Sequence, residues 1–322
     1  ASESQVIDCG GGVRLHGYYS GHRRQAEHPD QAAVFPDTLL PGSRESQSDR
    51  HARRLVVLIH GWEGSADSLY QLSAAAHLYA RGFDVFRLNL RDHGASHHLN
   101  VGIFHSCRLD EVVGAVQEIA RRFPQHELYL AGFSLGGNFA LRVAARAREA
   151  GLNIKRVVAV CPVLDPVHTL EALESGWPGY RRHFVGKWKR SLRLKQASHP
   201  EVYDFDELLT LNTLTEMTDY LVRRHSEFPD LAAYLSGYGI VDGVLRELSV
   251  PAHVIVAADD PIIPFEDIER LEAPACLTVE ATAFGGHCGY IHGLSLTAWI
   301  DDRIYDALAR DQTPRITHPL TA

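Results

Sequence analysis

The chain has 322 residues, 45 % of them hydrophobic and 22 % charged, which is enough for one large domain or two ordinary ones with a core that needs neither metal nor disulfide. Lys plus Arg number 32 and Asp plus Glu 40, and the net charge of −8 argues against a nucleic-acid-binding protein. Cys9, Cys107, Cys161, Cys276 and Cys288 are an odd set without C-x-x-C spacing. They argue against a disulfide scaffold and a cysteine zinc site, and fit reduced thiols in a cytoplasmic protein. Apolar runs such as 55–59 are too short to cross a bilayer, and the opening ASESQVIDCG has neither the basic nor the apolar region of a signal peptide.

Extended segments around Gly10-Gly11-Gly12 predict a hairpin over 5–19, and residues 20–53, polar and holding Pro29, Pro36 and Pro41, read as a long surface loop. Apolar β-rich runs then alternate with helical patterns. Strands are predicted at 54–61, 83–90, 127–133 and 155–162, and helices at 67–81, 109–123 and from Ser134 to about Glu149. Strands at 252–259 and 276–282 and a helix at 295–310 complete the series. This alternation implies a mainly parallel sheet covered on both faces. Residues 163–249 break the rhythm with helical, aromatic-rich sequence and read as a helical cap inserted between two core strands. The organisation is therefore a hairpin and loop joined to the core (1–53), a first core part (54–162), the cap (163–249) and a second core part (250–322).

Gly132-Phe133-Ser134-Leu135-Gly136 matches G-x-S-x-G. The pattern alone is weak, but a strand precedes it and a helix follows at once, as a nucleophile elbow requires. Gly132, Gly136 and Gly137 are expected to remove side chains that would collide with the serine. The helix N-terminus points free N–H groups and its positive dipole end at the serine oxygen.

Serine needs a base and a group that orients the base. Among 19 histidines, His287 stands out because Gly285, Gly286 and Gly289 let its loop fold closely over a site, and His292 is its nearest competitor. Asp260, directly before a Pro-led turn, is preferred to Asp259 as the orienting acid. Both loops leave the C-terminal ends of predicted strands, where side chains converge in open α/β sheets. Oxyanion donors are expected from the backbone N–H of Leu135, after the serine, and of Trp62 in the loop His60-Gly61-Trp62-Glu63-Gly64.

Other clusters read more blandly. Asp92, His93, His97, His98 and His105 invite a metal, but they lie in a loop rather than on one helical face, and solvated histidines are expected. Cys288 beside His287 reads as a packed thiol. Residues 175–200 hold seven Lys and Arg with no Asp or Glu, interleaved with Trp177, Tyr180, Phe184 and Trp188. They read as a solvated face, or as an anionic-headgroup surface giving peripheral membrane contact.

The segments HGWEGSADSLY (60–70), NLRDHGAS (89–96), GFSLGGN (132–138), DDPIIP (259–264) and GGHCGY (285–290) resemble the YheT-like branch of the α/β-hydrolase fold, in order over residues 54–310. The resemblance implies an α/β-hydrolase fold with a parallel sheet of about eight strands and an inserted helical cap. It also implies a Ser134–Asp260–His287 triad acting on carboxylic esters without metal or organic cofactor. One departure is RDHGAS at 91–96, where the branch more often shows R-G-x-G-x-S. It places Asp92 and His93 near the site and bears on the substrate. The leading function is hydrolysis of an ester with an apolar acyl or alcohol portion. Acyl transfer to an alcohol uses the same triad, and a non-catalytic binding protein can use the same fold. Chemistries that need a carboxylate nucleophile are excluded by Ser134.

Overall fold

A computed structural model describes residues 2–22, 53–290 and 298–309 of the chain. β1 (Glu3–Asp8) and β2 (Arg14–Ser20) form the expected hairpin, turning through Gly10, Gly11 and Gly12, all at positive φ. The loop read over 20–53 lies largely outside the described residues. β3 (Arg53–Ile59), α1 (Leu69–Ala80), β4 (Phe83–Asn89), α2 (Leu109–Arg122), β5 (His126–Phe133), α3 (Leu135–Ala145) and β6 (Ile154–Val160) follow. α4 (Pro166–Ser175), α5 (Pro178–Ser198), α6 (Leu214–His225) and α7 (Leu231–Ser236) separate β6 from β7 (Ala252–Ala257), and β8 (Leu277–Thr282) and α8 (Trp299–Ala309) close the chain.

The eight strands make one sheet in the order β1-β2-β4-β3-β5-β6-β7-β8. The hairpin joins antiparallel at one edge, and every pair from β4 to β8 is parallel. Period-2 alternation divides the core. Leu55, Val57 and Ile59 face α2 and α3, while Val56 and Leu58 face α1 and α8. Both faces are thus covered, which is why β3 is apolar from Leu55 to Ile59 and every residue of β4, the polar Asp84, Arg87 and Asn89 included, is buried.

α3 stops at Ala145 rather than near Glu149. Residues 146–151 tighten into turns that close with Leu152 N–H on the Ala147 carbonyl and Gly151 at φ 64°. β7 also ends two residues early, which frees Asp259 and Asp260 into the following loop. Apolar side chains of the inserted helices, among them Leu173, Val185, Leu192, Leu214 and Met217, share one buried cluster with the α2/α3 face. Polar ties fix the junctions. The Arg270 guanidinium holds Asp165, the N-cap of α4, at 2.6 Å, and Asp242, near the return to β7, at 2.5 Å. The Asn138 amide donates to the carbonyls of Val163 and Tyr238 at 2.9 and 2.7 Å. Among the described residues no helix is long and apolar enough to cross a membrane.

Candidate active site

Ser134 sits between β5 and α3 at φ 53° and ψ −121°, a conformation that costs a non-glycine residue of order 1–3 kcal/mol. The surroundings impose it: Ser134 N–H donates to the Val160 carbonyl at 2.8 Å, and its own carbonyl accepts from Asn138 N–H at 3.1 Å. The flanking glycines are needed, but not to spare the serine, as expected from sequence. A Cβ on Gly132 would lie 2.1 Å from the Gly136 carbonyl oxygen, and one on Gly136 would lie 2.2 Å from that of Ile59. The turn is so tight that backbone packs on backbone.

His287 and Asp260 meet across the loops after β8 and β7. His287 Nδ1–H donates to Asp260 Oδ2 at 2.9 Å, with Oδ1 at 3.2 Å. Asp260 Oδ1 also accepts from the N–H groups of Ile262 and Ile263 at 2.8 and 3.1 Å, which fixes the carboxylate. Asp259 has another role: its Oδ1 accepts from Gly285 and Gly286 N–H, both at 2.8 Å, and shapes the histidine loop. His292 lies outside the described residues. Burial pushes the Asp260 carboxyl up, but His287 and the two amide donors outweigh it and hold the group below the usual range. Burial likewise pulls His287 down, and Asp260's hydrogen bond and charge outweigh it, so the imidazole is raised.

The loop after β3 is held peptide by peptide. Gly61 N–H donates to Tyr70 Oη at 3.0 Å, and the Gly61 carbonyl accepts from His60 Nδ1–H at 2.7 Å. Glu63, at φ 55°, donates its N–H to His93 Nε2 at 3.1 Å and accepts on its carbonyl from Lys187 Nζ at 2.9 Å. Among the described residues the Trp62 N–H between them has no acceptor. The Leu135 N–H opens α3 and has no intrahelical acceptor either.

His60 and His93 are both neutral Nδ1–H tautomers. Each donates from Nδ1 to a carbonyl, of Gly61 and Arg91 respectively, and accepts at Nε2 from a backbone N–H, of Leu90 and Glu63. Burial lowers His60 to about 4 and His93 well below the usual imidazole value. His60, Tyr70, His93 and Lys187 are therefore positioning residues, a role that sequence reasoning did not give them. For His60 and His93 the sequence signal was a histidine beside a glycine in a turn, whereas Tyr70 and Lys187 lie in α1 and α5 and cannot be matched to that loop from spacing.

Two expectations are corrected. The loop histidines are not solvated: His93, His97 and His105 are buried and only His98 is exposed. Among the described residues, the ligand atoms of these histidines and of Asp92 do not gather within 4.8 Å of one another. The RDHGAS departure also does not reach the main cavity. His93 holds Glu63, and the Asp92 carboxylate pairs with Lys195 of α5 at 2.8 Å while accepting from Phe104 N–H at 2.8 Å. Cys288 packs as expected, with its sulfur 3.8 Å from the Val160 carbonyl. The basic segment is split. Lys195 is buried, Lys187 is tied to Glu63, Arg181 faces Glu174 and Lys189 faces Asn212, leaving Arg182, Arg190 and Arg193 exposed on α5.

Ser134, His287, Trp62 and Leu135 line one cavity of about 320 Å³, enclosed on the far side by Leu170 and Leu173 of α4, Phe184 and Trp188 of α5 and Leu221 of α6. The Trp62 ring stacks on Phe184 at 5.5 Å and meets Trp188 edge-on at 5.0 Å, joining the loop to the insertion.

A mainly parallel eight-stranded sheet with a serine at a strained strand–helix turn defines the class: the chain belongs to the α/β hydrolase fold family, whose sequence model matches residues 54–294. Within it the chain falls in the YheT-like branch, being 26 % identical over 279 residues to the esterase-designated YheT of Escherichia coli (strain K12), a match covering 84 % of this chain and 80 % of that one. It is also 28 % identical over 204 residues to the monoacylglycerol lipase ABHD2 of Danio rerio, covering 57 % of this chain but only 47 % of the relative. Among solved structures it superposes on the esterase Pf2001 of Pyrococcus furiosus with a TM-score of 0.57, at 14 % identity, covering 96 % of this chain and 89 % of the other. A 2,6-dihydroxy-pseudo-oxynicotine hydrolase gives 0.59 at 17 % identity, covering 98 % and 70 %.

Proposed function

We propose that this protein is a serine hydrolase of carboxylic esters with an apolar acyl or alcohol portion. The observation that carries the reading is His287 Nδ1–H on Asp260 at 2.9 Å, in the same cavity wall as a serine at φ 53°. In this reading His287 Nε2 takes the Ser134 proton as Oγ attacks the ester carbonyl carbon. Asp260 holds the tautomer and stabilises the imidazolium that forms. The N–H groups of Trp62 and Leu135 receive the oxyanion, each worth roughly 10²–10³ in rate. His287 then protonates the departing alcohol, and water releases the acyl group by the reverse sequence.

The apolar wall of α4, α5 and α6, acting as a cap, supports the apolar portion of the substrate, as do an esterase-designated and a monoacylglycerol lipase relative. The exposed Arg182, Arg190 and Arg193 would dock the cap on anionic lipid headgroups. Activity on anionic vesicles that is indifferent to salt and to reversing these three charges rejects that part.

The test is fluorophosphonate labelling of the parent, Ser134→Ala and His287→Ala, followed by p-nitrophenyl esters of increasing chain length. Labelling lost in Ser134→Ala and strongly reduced in His287→Ala is expected. A folded parent that takes no label overturns the reading in favour of a binding protein. Product analysis with added alcohol separates hydrolysis from acyl transfer.

A further inference from the structure

Beside His287 lie two thiols that the proposed chemistry does not use. Cys161 directly follows β6, and Cys288 follows His287 in the loop after β8. The two sulfurs and one imidazole nitrogen of His287 lie within 4.8 Å of one another. Cys161 is fully buried, with Tyr290 Oη 3.3 Å from its sulfur, while Cys288 and His287 reach the cavity wall. Each sulfur also lies 3.8 Å from a carbonyl oxygen, that of Gly286 for Cys161 and of Val160 for Cys288, and both cysteines are free thiols. Backbone forces this meeting, because Cys161 at φ 42° and Cys288 at φ 63° both turn out of regular structure.

We propose that Cys161, Cys288 and His287 bind a thiophilic divalent cation of the zinc class, and that occupancy silences the Ser134 centre. Two thiolates and an imidazole are a donor set that suits zinc. A tetrahedral ion bonded at about 2.0–2.3 Å holds its ligands roughly 3.3–3.8 Å apart, so the three need only close slightly. A water would complete the tetrahedron as the fourth ligand. The Asp260 carboxylate stands against the imidazole as carboxylates do behind metal-bound histidines. Hard cations such as magnesium find no oxygen cage among the three donors. On binding, two thiol protons leave to solvent, and the dication is balanced by two thiolates.

Either imidazole nitrogen gives the same outcome. A cation on Nε2 occupies the lone pair that would take the serine proton. A cation on Nδ1 displaces the Asp260 bond and leaves Nε2 carrying its proton, with no lone pair to offer. The ion reaches the site through the substrate cavity, so inhibition is reversible by a chelator.

The silencing half rests on the proposed esterase reading, but binding does not. The experiment therefore measures both, under a phosphine reductant that excludes a disulfide. Zinc affinity is read by competition with a chromogenic chelator for the parent, Cys161→Ala, Cys161→Ser and Cys107→Ala. Fluorophosphonate labelling is read with zinc chloride, with magnesium chloride and after EDTA. The expected result is one zinc per chain, weakened roughly tenfold or more in both Cys161 variants and unchanged in Cys107→Ala. Labelling should be lost with zinc, restored by EDTA and unaffected by magnesium. Equal affinity in the parent and a folded Cys161 variant overturns the site; should Cys161→Ala fail to fold, Cys161→Ser keeps a hydroxyl facing Tyr290 and decides. Zinc binding with labelling unchanged overturns the silencing. A parent that never takes label refutes the esterase reading, and the chelator competition still decides the site.

Discussion

The elbow around Ser134 and the helical insertion facing it across the cavity are held by different forces. At the elbow, backbone packs on backbone: Gly132 on Gly136, and Gly136 on Ile59 and His60, at distances no side chain survives. Between insertion and core, charged and aromatic ties add to the shared apolar cluster: Lys195 on Asp92, Lys187 on the Glu63 carbonyl, Arg270 on Asp165 and Asp242, and Phe184 on Trp62. The elbow is thus rigid by sterics and indifferent to salt. The insertion seam is tunable by charge, and its exposed parts by ionic strength. Ser134 is fixed by backbone contacts, whereas the facing wall of the cavity is fastened in part by contacts that substitution can grade.

The contrast breaks most sharply at the serine. Ser134→Ala should reduce ester hydrolysis by about 10⁶ with the fold intact, measured by kcat and circular dichroism. Gly136→Ala, adding one methyl group 2.2 Å from the Ile59 carbonyl oxygen, should instead lose the fold locally or altogether, seen as a lower melting temperature or insolubility. A well-folded, fully active Gly136→Ala would refute the steric account.

Next comes Asp260→Asn, expected to lower kcat by about 10⁴. Its pH profile carries the sign. Asp260 raises the His287 pKa, and the base must be neutral, so parent activity falls as pH drops through that raised value. With the charge gone, the acid limb should move to lower pH. The linked stability runs the other way: the raised imidazole stabilises the fold at low pH, and that contribution is lost as pH rises through the folded pKa.

At the seam, burial pushes Asp92 up and pulls Lys195 down, against their mutual attraction. Asp92→Leu alone strands a buried ammonium and should cost about 3–5 kcal/mol, while Asp92→Leu with Lys195→Met should recover most of it. Denaturant melts of the three proteins check this, and a double variant as unstable as Asp92→Leu would show that the pair itself stabilises. The smallest effect is expected from Arg270→Gln. Its guanidinium is partly exposed, so the loss should stay below about 1 kcal/mol. KM for long-chain esters should rise with little change in kcat, because both junctions of the insertion loosen together.

Much of this was legible in the chain itself. Alternating β-rich and helical runs specify a parallel sheet, because strands buried on both faces are mostly apolar. G-F-S-L-G between a strand and a helix marks the serine, and the loops after the last two strands mark Asp260 and His287, because strand ends converge. These signals are local: propensity, periodicity and glycine spacing act within a few residues.

Local signals in the chain are therefore enough for the sheet, the turn at Ser134 and the loops that carry Asp260 and His287. Tertiary structure alone decided the rest. It buried His93 and His97 where spacing implied solvent. It turned Asp92 away from the main cavity and onto Lys195, divided the basic run of α5 into tied and free charges, and brought Cys161 beside Cys288 without any C-x-x-C signature. The reason is physical. A side chain's protonation, partner and exposure depend on groups far away in the chain, and only the packed fold sets which of them meet.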